Sequence, residues 1–543
     1  MANVTPNVFE IVILLLEVLL VSVVLRCFYN LFLHPLRRFP GPIAHRASVL
    51  PIAVRVALGR WTTELLPLTE KFGPVVRVSP NELVFTDPEA WFVFLGPAQV
   101  LHYPSEDDLG ARSETLANIP YRKDVYGYQN GALSKGEEFP KAPSFYRNRG
   151  VPPSIVSETR ENHALLRRQM SPGFSDRSLR EQEKIVKGYV DLLIRRLQER
   201  CAAAQGGDEQ GTKTEAGGGG GDGGSSSESR TAVDMRLWFN YATFDIIGDL
   251  AFGESFGCLE HGRTADRVSS IEMGLKAQGL NYALKLLGME RLVKWLVRSR
   301  AKFRRDNDRL TTAVLKRRMA LETERHDLNW EPELPMKTLM INSMVLIVAG
   351  SDTAATLLSG LIYLLLKNPG CFEKITHEIR SAFKSEDEIN FSSVQSLPYM
   401  FACIRETFRC YPPVPGSAPR VVPKGGANIA GQFVPEGTTV SVAQWPTYHS
   451  TRNFSQPFSF QPDRFLQPEK YPDDKLGALQ PFGIGPRDCI GKNLAYAEVK
   501  LVLARILYNF DMELVDPGED WMDQRAFFIW TKPPLNIYLT PGL

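Results

Sequence analysis

The stretch Phe482-Gly-Ile-Gly-Pro-Arg-Asp-Cys-Ile-Gly491 decides how the rest of the chain is read. Gly485 and Gly491 lack a Cβ, so the backbone can turn tightly and lie close to a flat ligand. Successive N–H groups in such a turn can point at a sulfur, stabilising its anion and tuning a bound metal. Cys489 therefore has the surroundings of a thiolate ligand to haem iron. A thiolate axial ligand pushes electron density onto the iron and favours O–O cleavage, which suits oxygen activation better than oxygen storage. In this reading Arg487 meets a haem propionate and Phe482 packs under the ring. The competing reading, a buried structural cysteine in a glycine-rich turn, does not require five matched residues at this spacing.

The 543 residues leave room for two domains or for one large one. A net charge of +2 gives no sign of a nucleic-acid partner, and no zinc spacing, Walker loop or dinucleotide fingerprint occurs. The seven cysteines, at 27, 201, 258, 371, 403, 410 and 489, are scattered and odd in number. That distribution fits a reducing compartment and no disulfide framework.

Val8 to Leu33 is strongly apolar, with acidic intrusions only at Glu10 and Glu17, and is long enough to span a bilayer. A cleaved signal peptide is the alternative, but the first ten residues carry no Lys or Arg and no small-residue cleavage site stands out. The reading adopted is a luminal tail and transmembrane anchor over 1–33, followed by a catalytic domain over 34–543. Arg26, Arg37 and Arg38 place positive charge after the span, which puts that domain on the cytoplasmic side. On this topology the sequons at Asn390 and Asn453 stay unmodified, and only Asn3 is luminal. Phe39-Pro-Gly-Pro42 forms a stiff turn between anchor and domain.

Val75–Val78 and Glu82–Phe85 read as a small hairpin, and most of the remainder reads as helix. Between about 202 and 230 the chain becomes Gly-, Ser- and acid-rich with almost nothing apolar. Burial cannot offset its ordering entropy, so it reads as a disordered surface insertion. The basic and apolar mixture of Lys294–Arg305 fits a solvated helix face, or an interfacial helix as the sharper alternative.

Thr338 to Asn368 is a long helical candidate carrying Ala349-Gly-Ser-Asp-Thr353 in an apolar background. It has the length of a second span, but Asp352 near its middle argues for a helix through a large core. Gly350 weakens the helix locally and allows a ligand to approach. Thr353 can bond back to a carbonyl and bend the ladder. Oxygen activation needs protons, and a hydroxyl beside a carboxylate makes a relay in which Thr353 positions oxygen and water while Asp352 links them to solvent.

The cysteine segment matches F-x-x-G-x-R-x-C-x-G, and from about Tyr29 to Leu539 the chain resembles the haem-thiolate monooxygenases of the cytochrome P450 family. Tyr29-Asn-Leu-Phe-Leu-His-Pro-Leu, His163-Ala-Leu-Leu-Arg-Arg-Gln-Met and Ala251-Phe-Gly-Glu-Ser-Phe-Gly resemble its fungal secondary-metabolism branch, which includes trichothecene-pathway hydroxylases. The resemblance implies a mainly α fold with small β-sheets and haem b as cofactor. It also implies O2 and an apolar small molecule as substrates, and a site at the endoplasmic reticulum membrane. No flavin or NADPH module fits in the chain, so electrons would come from an NADPH-dependent cytochrome P450 reductase, with cytochrome b5 as a further donor. The helix motif matches the family's A/G-G-x-D/E-T. Glu406 and Arg409 match E-x-x-R, and Arg464 in Phe460-Gln-Pro-Asp-Arg-Phe465 would complete a buried scaffold network with them. His163, Arg167 and Arg420 match positions that contact the propionates, with a departure at 163, where many relatives carry tryptophan. Arg168 would instead face a redox partner.

Cys489 alone would also suit a haem-thiolate isomerase or dehydratase that needs no reductase, or a haem-binding sensor. Asp352 and Thr353 argue for oxygen insertion.

Overall fold

The computed structural model describes residues 8–95, 138–147, 152–206, 232–262, 266–289, 292 and 335–542. Asn3, the stretch 294–305, and most of 101–157, where the family resemblance implies a substrate access route, lie outside them. The longer helices are α1 (Val8–Phe28), α2 (Leu50–Ala57), α3 (Trp61–Phe72), α4 (Arg160–Met170), α5 (Asp176–Gly206), α6 (Met235–Phe252), α7 (Asp266–Leu286), α8 (Met336–Leu366), α9 (Pro369–Ala382), α10 (Pro398–Cys410) and α11 (Lys492–Asn509). The strands are β1 (Val75–Ser79), β2 (Glu82–Phe85), β3 (Ala232–Asp234), β4 (Arg420–Val421), β5 (Ala427–Ile429), β6 (Gln432–Val434), β7 (Thr439–Val442), β8 (Phe510–Leu514) and β9 (Asn536–Pro541).

Apolar residues occur on every side of α8, which is how a helix through a core reads. Leu358, Leu361, Ile362 and Leu365 are fully buried there, each such side chain contributing about 1.5–3 kcal/mol by leaving water. The helix crosses α6 at Gly350, where a Cβ would come within 2.8 Å of the Ile247 side chain. Gly350 thus serves the packing of two helices.

Three small sheets surround this helical core. In the largest, ordered β1-β2-β7-β4, the hairpin expected from sequence pairs antiparallel, and β2 then pairs in parallel with the distant β7. The order of the second is β3-β9-β8, and β5 pairs with β6 in the third. The Phe39–Pro42 turn is fixed onto β1, because Arg77 N donates to Pro40 O at 2.7 Å. A Cβ at Gly41 would collide with the Arg77 carbonyl oxygen, so the tight approach requires glycine.

Helix α1 projects with exposed apolar side chains, including Leu14, Leu16, Leu20 and Leu25, and continues into a helical turn over Tyr29–Leu33. It and α8 are both long and apolar enough to cross a membrane, but α8 is mostly buried in protein. The segment expected to be disordered from 202 begins inside α5, which extends to Gly206, and 207–230 lie outside the described residues. Asn453 is buried, donating to Thr86 O and Thr447 O, which closes that sequon to modification whatever the topology.

Candidate active site

Around Cys489 the backbone adopts the turn that the glycines allow. Gly483 and Gly485 take φ of 66° and 78°, values that side chains avoid. A short 3-10 turn follows over Gly485–Arg487, and Cys489 N donates to Phe482 O at 2.9 Å, closing the loop. Helix α11 starts three residues after the cysteine, and the Gly491 N–H donates to the sulfur. Burial raises the thiol pKa, against which that N–H, Arg167 and Lys492 act to lower it. The Cys489 side chain is nonetheless exposed, so it is open to a ligand. Phe482 lies in an aromatic cluster, with ring centroids 5.2 Å from Phe408 and 5.1 Å from Tyr496.

Next to this loop, cations converge. Arg487 Nε donates to Glu138 Oε1 at 2.8 Å and Arg420 Nη1 lies 3.9 Å from the same carboxylate. Arg167 donates to Asp488 through both its oxygens, at 2.7 Å to the carbonyl and 2.5 Å to Oδ1. Lys141 donates to Val156 O. Burial, then the charges of Arg487, Lys141, Arg167 and Arg420, push His163 down to about 3. Lys141 falls to about 7 through burial and the nearby Arg487 and Arg420. Burial is the larger cause of both shifts and the neighbouring cations add to it. Four cations here face two carboxylates, Glu138 and Asp488, and Arg420 Nε is buried without a partner. A dianionic ligand would relieve that excess, which is what a group with two carboxylates supplies. The chemistry of these residues fits haem: Cys489 would hold the iron, and His163, Arg167, Arg420, Arg487 and Lys141 would meet the propionates. Among the described residues no cluster of three His, Cys, Asp or Glu could hold a metal ion directly.

In α8, Ala349 is exposed and Thr353 partly so, a gap in the packing of a helix otherwise sunk in the core. Thr353 Oγ1 donates to Ala349 O at 2.6 Å, the back-bond read from sequence. Ser351 and Thr356 make the same bond to Ile347 O and Asp352 O, and the helix continues through the motif. Asp352 is paired with Lys532: Nζ lies 2.8 Å from Asp352 Oδ1 and 2.5 Å from Thr356 Oγ1. Asp352 Oδ2 is buried without a partner.

Glu406, Arg409 and Arg464 come together with no exposure at all. Arg409 forks onto Glu406 at 2.9 and 2.8 Å, and Arg464 Nε meets the same carboxylate at 3.1 Å. Asp474 closes the network on Arg464. Arg409 also donates to the carbonyls of Tyr448, Pro457 and Ser459, tying α10 to the irregular chain ahead of the cysteine loop.

A family model described as Cytochrome P450 matches residues 121–540. The chain belongs to the cytochrome P450 family. This P450 is 39% identical over 552 residues to cytochrome P450 monooxygenase tpeC of Talaromyces stipitatus, covering 98% of this chain and 96% of that one. It is 37% identical to cytochrome P450 monooxygenase prhB of Penicillium brasilianum, with 96% of each chain covered. Averantin hydroxylase of Dothistroma septosporum is 34% identical, over 95% of this P450 and 88% of the relative. The P450 is a haem-thiolate monooxygenase with haem b as cofactor. Bound through a thiolate, that haem supplies oxygen activation.

Sequence reasoning missed Glu138, Lys141, Asp474, Asp488 and Lys532. Glu138 meets a residue 349 positions away and Lys532 one 180 positions away, distances at which no local spacing exists to be read. Asp488 lay within the quoted segment, and its acidic side chain beside a cysteine thiolate was the available signal for a basic partner.

Proposed function

We propose that this P450 is anchored in the endoplasmic reticulum membrane by α1, with its catalytic domain in the cytoplasm. There it hydroxylates or otherwise oxidises an apolar small molecule in fungal secondary metabolism, taking electrons from an NADPH-dependent P450 reductase. Cytochrome b5 is a further electron donor in this reading. The observation that carries it is the open Cys489 thiol, with an N–H aimed at its sulfur, beside a cluster of cations in excess. The exposed apolar surface of α1 supports the membrane site, where apolar substrates also gather.

The residues divide the work. Cys489 holds the iron, with Gly491 supporting its charge. His163, Arg167, Arg420 and Arg487 hold the propionates. Thr353 positions oxygen and water, and Asp352 passes protons to that position from the side on which Lys532 lies. Glu406, Arg409 and Arg464 keep the cysteine loop's scaffold rigid and touch no reacting atom.

The test is expression in microsomes with and without the reductase, comparing metabolites from the wild type and Cys489→Ala. The expected result is product that needs NADPH and reductase and vanishes in the variant, together with a red-shifted ferrous carbon monoxide band. Product without reductase would overturn the electron route, and a band lacking the thiolate shift would overturn the axial ligand.

A further inference from the structure

A pocket of about 860 Å3, counting its open mouth, lies between β2, α2, α3, α7 and the loop after Arg525. Its walls differ in chemistry. Trp61, Phe145, Phe527 and Phe528 supply aromatic surface, with Phe145 edge-on to Tyr282 at 5.1 Å and tilted against Phe528 at 5.9 Å. Phe527 also borders the smaller pocket that holds Asp352 and Lys532, so its ring is a wall shared with the oxygen side of the P450.

Facing the aromatic surface is a polar strip. Gln278, Asn281, Tyr282 and Lys285 line the pocket at steps of three and four, one face of α7. Lys285 is already engaged, donating to Arg147 O at 3.0 Å. Glu82 enters from β2 and is 8% exposed. A buried carboxyl is costly unless hydrogen-bonded, and it has about four acceptor sites. The Ser79 hydroxyl donates to it, and among the described residues no cation pairs with it. Burial raises Glu82 to about 7 and Tyr282 well above its ordinary value, with the Glu82 charge adding to the rise at Tyr282. Both groups line the same pocket.

We propose that Glu82 and Tyr282 form a hydrogen-bonding subsite that selects aromatic substrates already carrying a phenolic hydroxyl. The substrate hydroxyl donates to the Glu82 carboxyl and accepts from the Tyr282 hydroxyl, while its ring lies against Trp61, Phe145 and Phe528. The assignment rests on the monooxygenase reading above and deepens it by naming a substrate class. A site built to bond a hydroxyl discriminates against the analogue lacking one, because its own polar groups are then left buried and unpaired.

The test uses haem-loaded protein and two probes of similar shape, 1-naphthol and 1-methylnaphthalene, with binding read by equilibrium dialysis and by the Soret shift. The wild type should bind 1-naphthol about tenfold tighter or more. Glu82→Ala and Tyr282→Phe should each cut that preference to about threefold or less while changing 1-methylnaphthalene affinity by less than about twofold. Glu82→Gln, which keeps the shape, guards against a folding defect in the alanine variant and should retain part of the preference. Equal binding of both probes by the wild type, failure to bind either, or variants that weaken both probes alike would overturn the subsite. Dialysis reads binding without turnover. Naphthol preference without NADPH-dependent product would therefore count against the monooxygenase reading, and turnover without the preference against the subsite alone.

Discussion

Lys532 holds Asp352 with a side chain only 3% exposed against 10% for the carboxylate, so each charge is largely withdrawn from water. Lys532→Met should leave a buried, unpaired carboxylate and lower stability by about 3–5 kcal/mol, whereas adding Asp352→Asn should recover most of it. Urea unfolding of the four proteins, treated as a double-mutant cycle, checks this coupling. Glu406 carries a second prediction. Glu406→Ala leaves Arg409 without a carboxylate and Arg464 with Asp474 alone, both without exposure, and should cost about 3–5 kcal/mol and reduce the haem-to-protein ratio on purification. Arg464→Lys should lower stability and that ratio as well, since one ammonium cannot replace the separate guanidinium contacts to Glu406, Asp474 and Ser455 O. At this scale the sequence was legible wherever contacts are local. Glu406 and Arg409 are three residues apart, and the Thr353 back-bond spans four. Their further partners, Asp474 and Lys532, join through folds of the chain that no window of sequence contains.

Helix α11 buries a carboxyl that no cation among the described residues pairs with. Glu498 has an unpartnered Oε1, and burial raises it from 4.5 to about 8. The folded state therefore keeps a proton that the unfolded chain releases between those values. Its contribution is fully present below about pH 4.5 and is lost as pH rises toward 8. Glu498→Gln removes the titration, so its melting temperature should match the wild type near pH 4.5 and exceed it at pH 8, by the equivalent of about 1–3 kcal/mol. Melting curves across that range decide it. Thr338–Asn368 was readable as a long helix from its length and apolar background, and the charge at Asp352 correctly marked it as a core helix. The end of α5 was not readable. Its last turn, 202–206, is helical because the helix propagates into a stretch whose composition alone points to disorder.

For the whole molecule, the family model matched over 121–540 takes in the helix motif, the Glu406–Arg409 pair and the cysteine segment in one stretch. The pairing of distant elements was supplied by the resemblance rather than by the residues. Deleting residues 1–33 should release the protein from carbonate-washed membranes while its carbon monoxide spectrum persists. Ile43, Leu50, Val54 and Leu58 remain exposed beyond the cut and should leave a weak association that the alkaline wash removes. Sedimentation before and after the wash checks both parts. The parallel pairing of β2 with β7 has a consequence for synthesis. Asn81 and Gly437, bonded at the head of that pairing, are 356 residues apart. At ordinary translation rates of about 5–20 residues per second, the ribosome needs roughly 20–70 s to deliver the second strand after the first. Throughout that interval the nascent hairpin displays an open edge, so the newborn chain depends on chaperone cover until its latter half arrives.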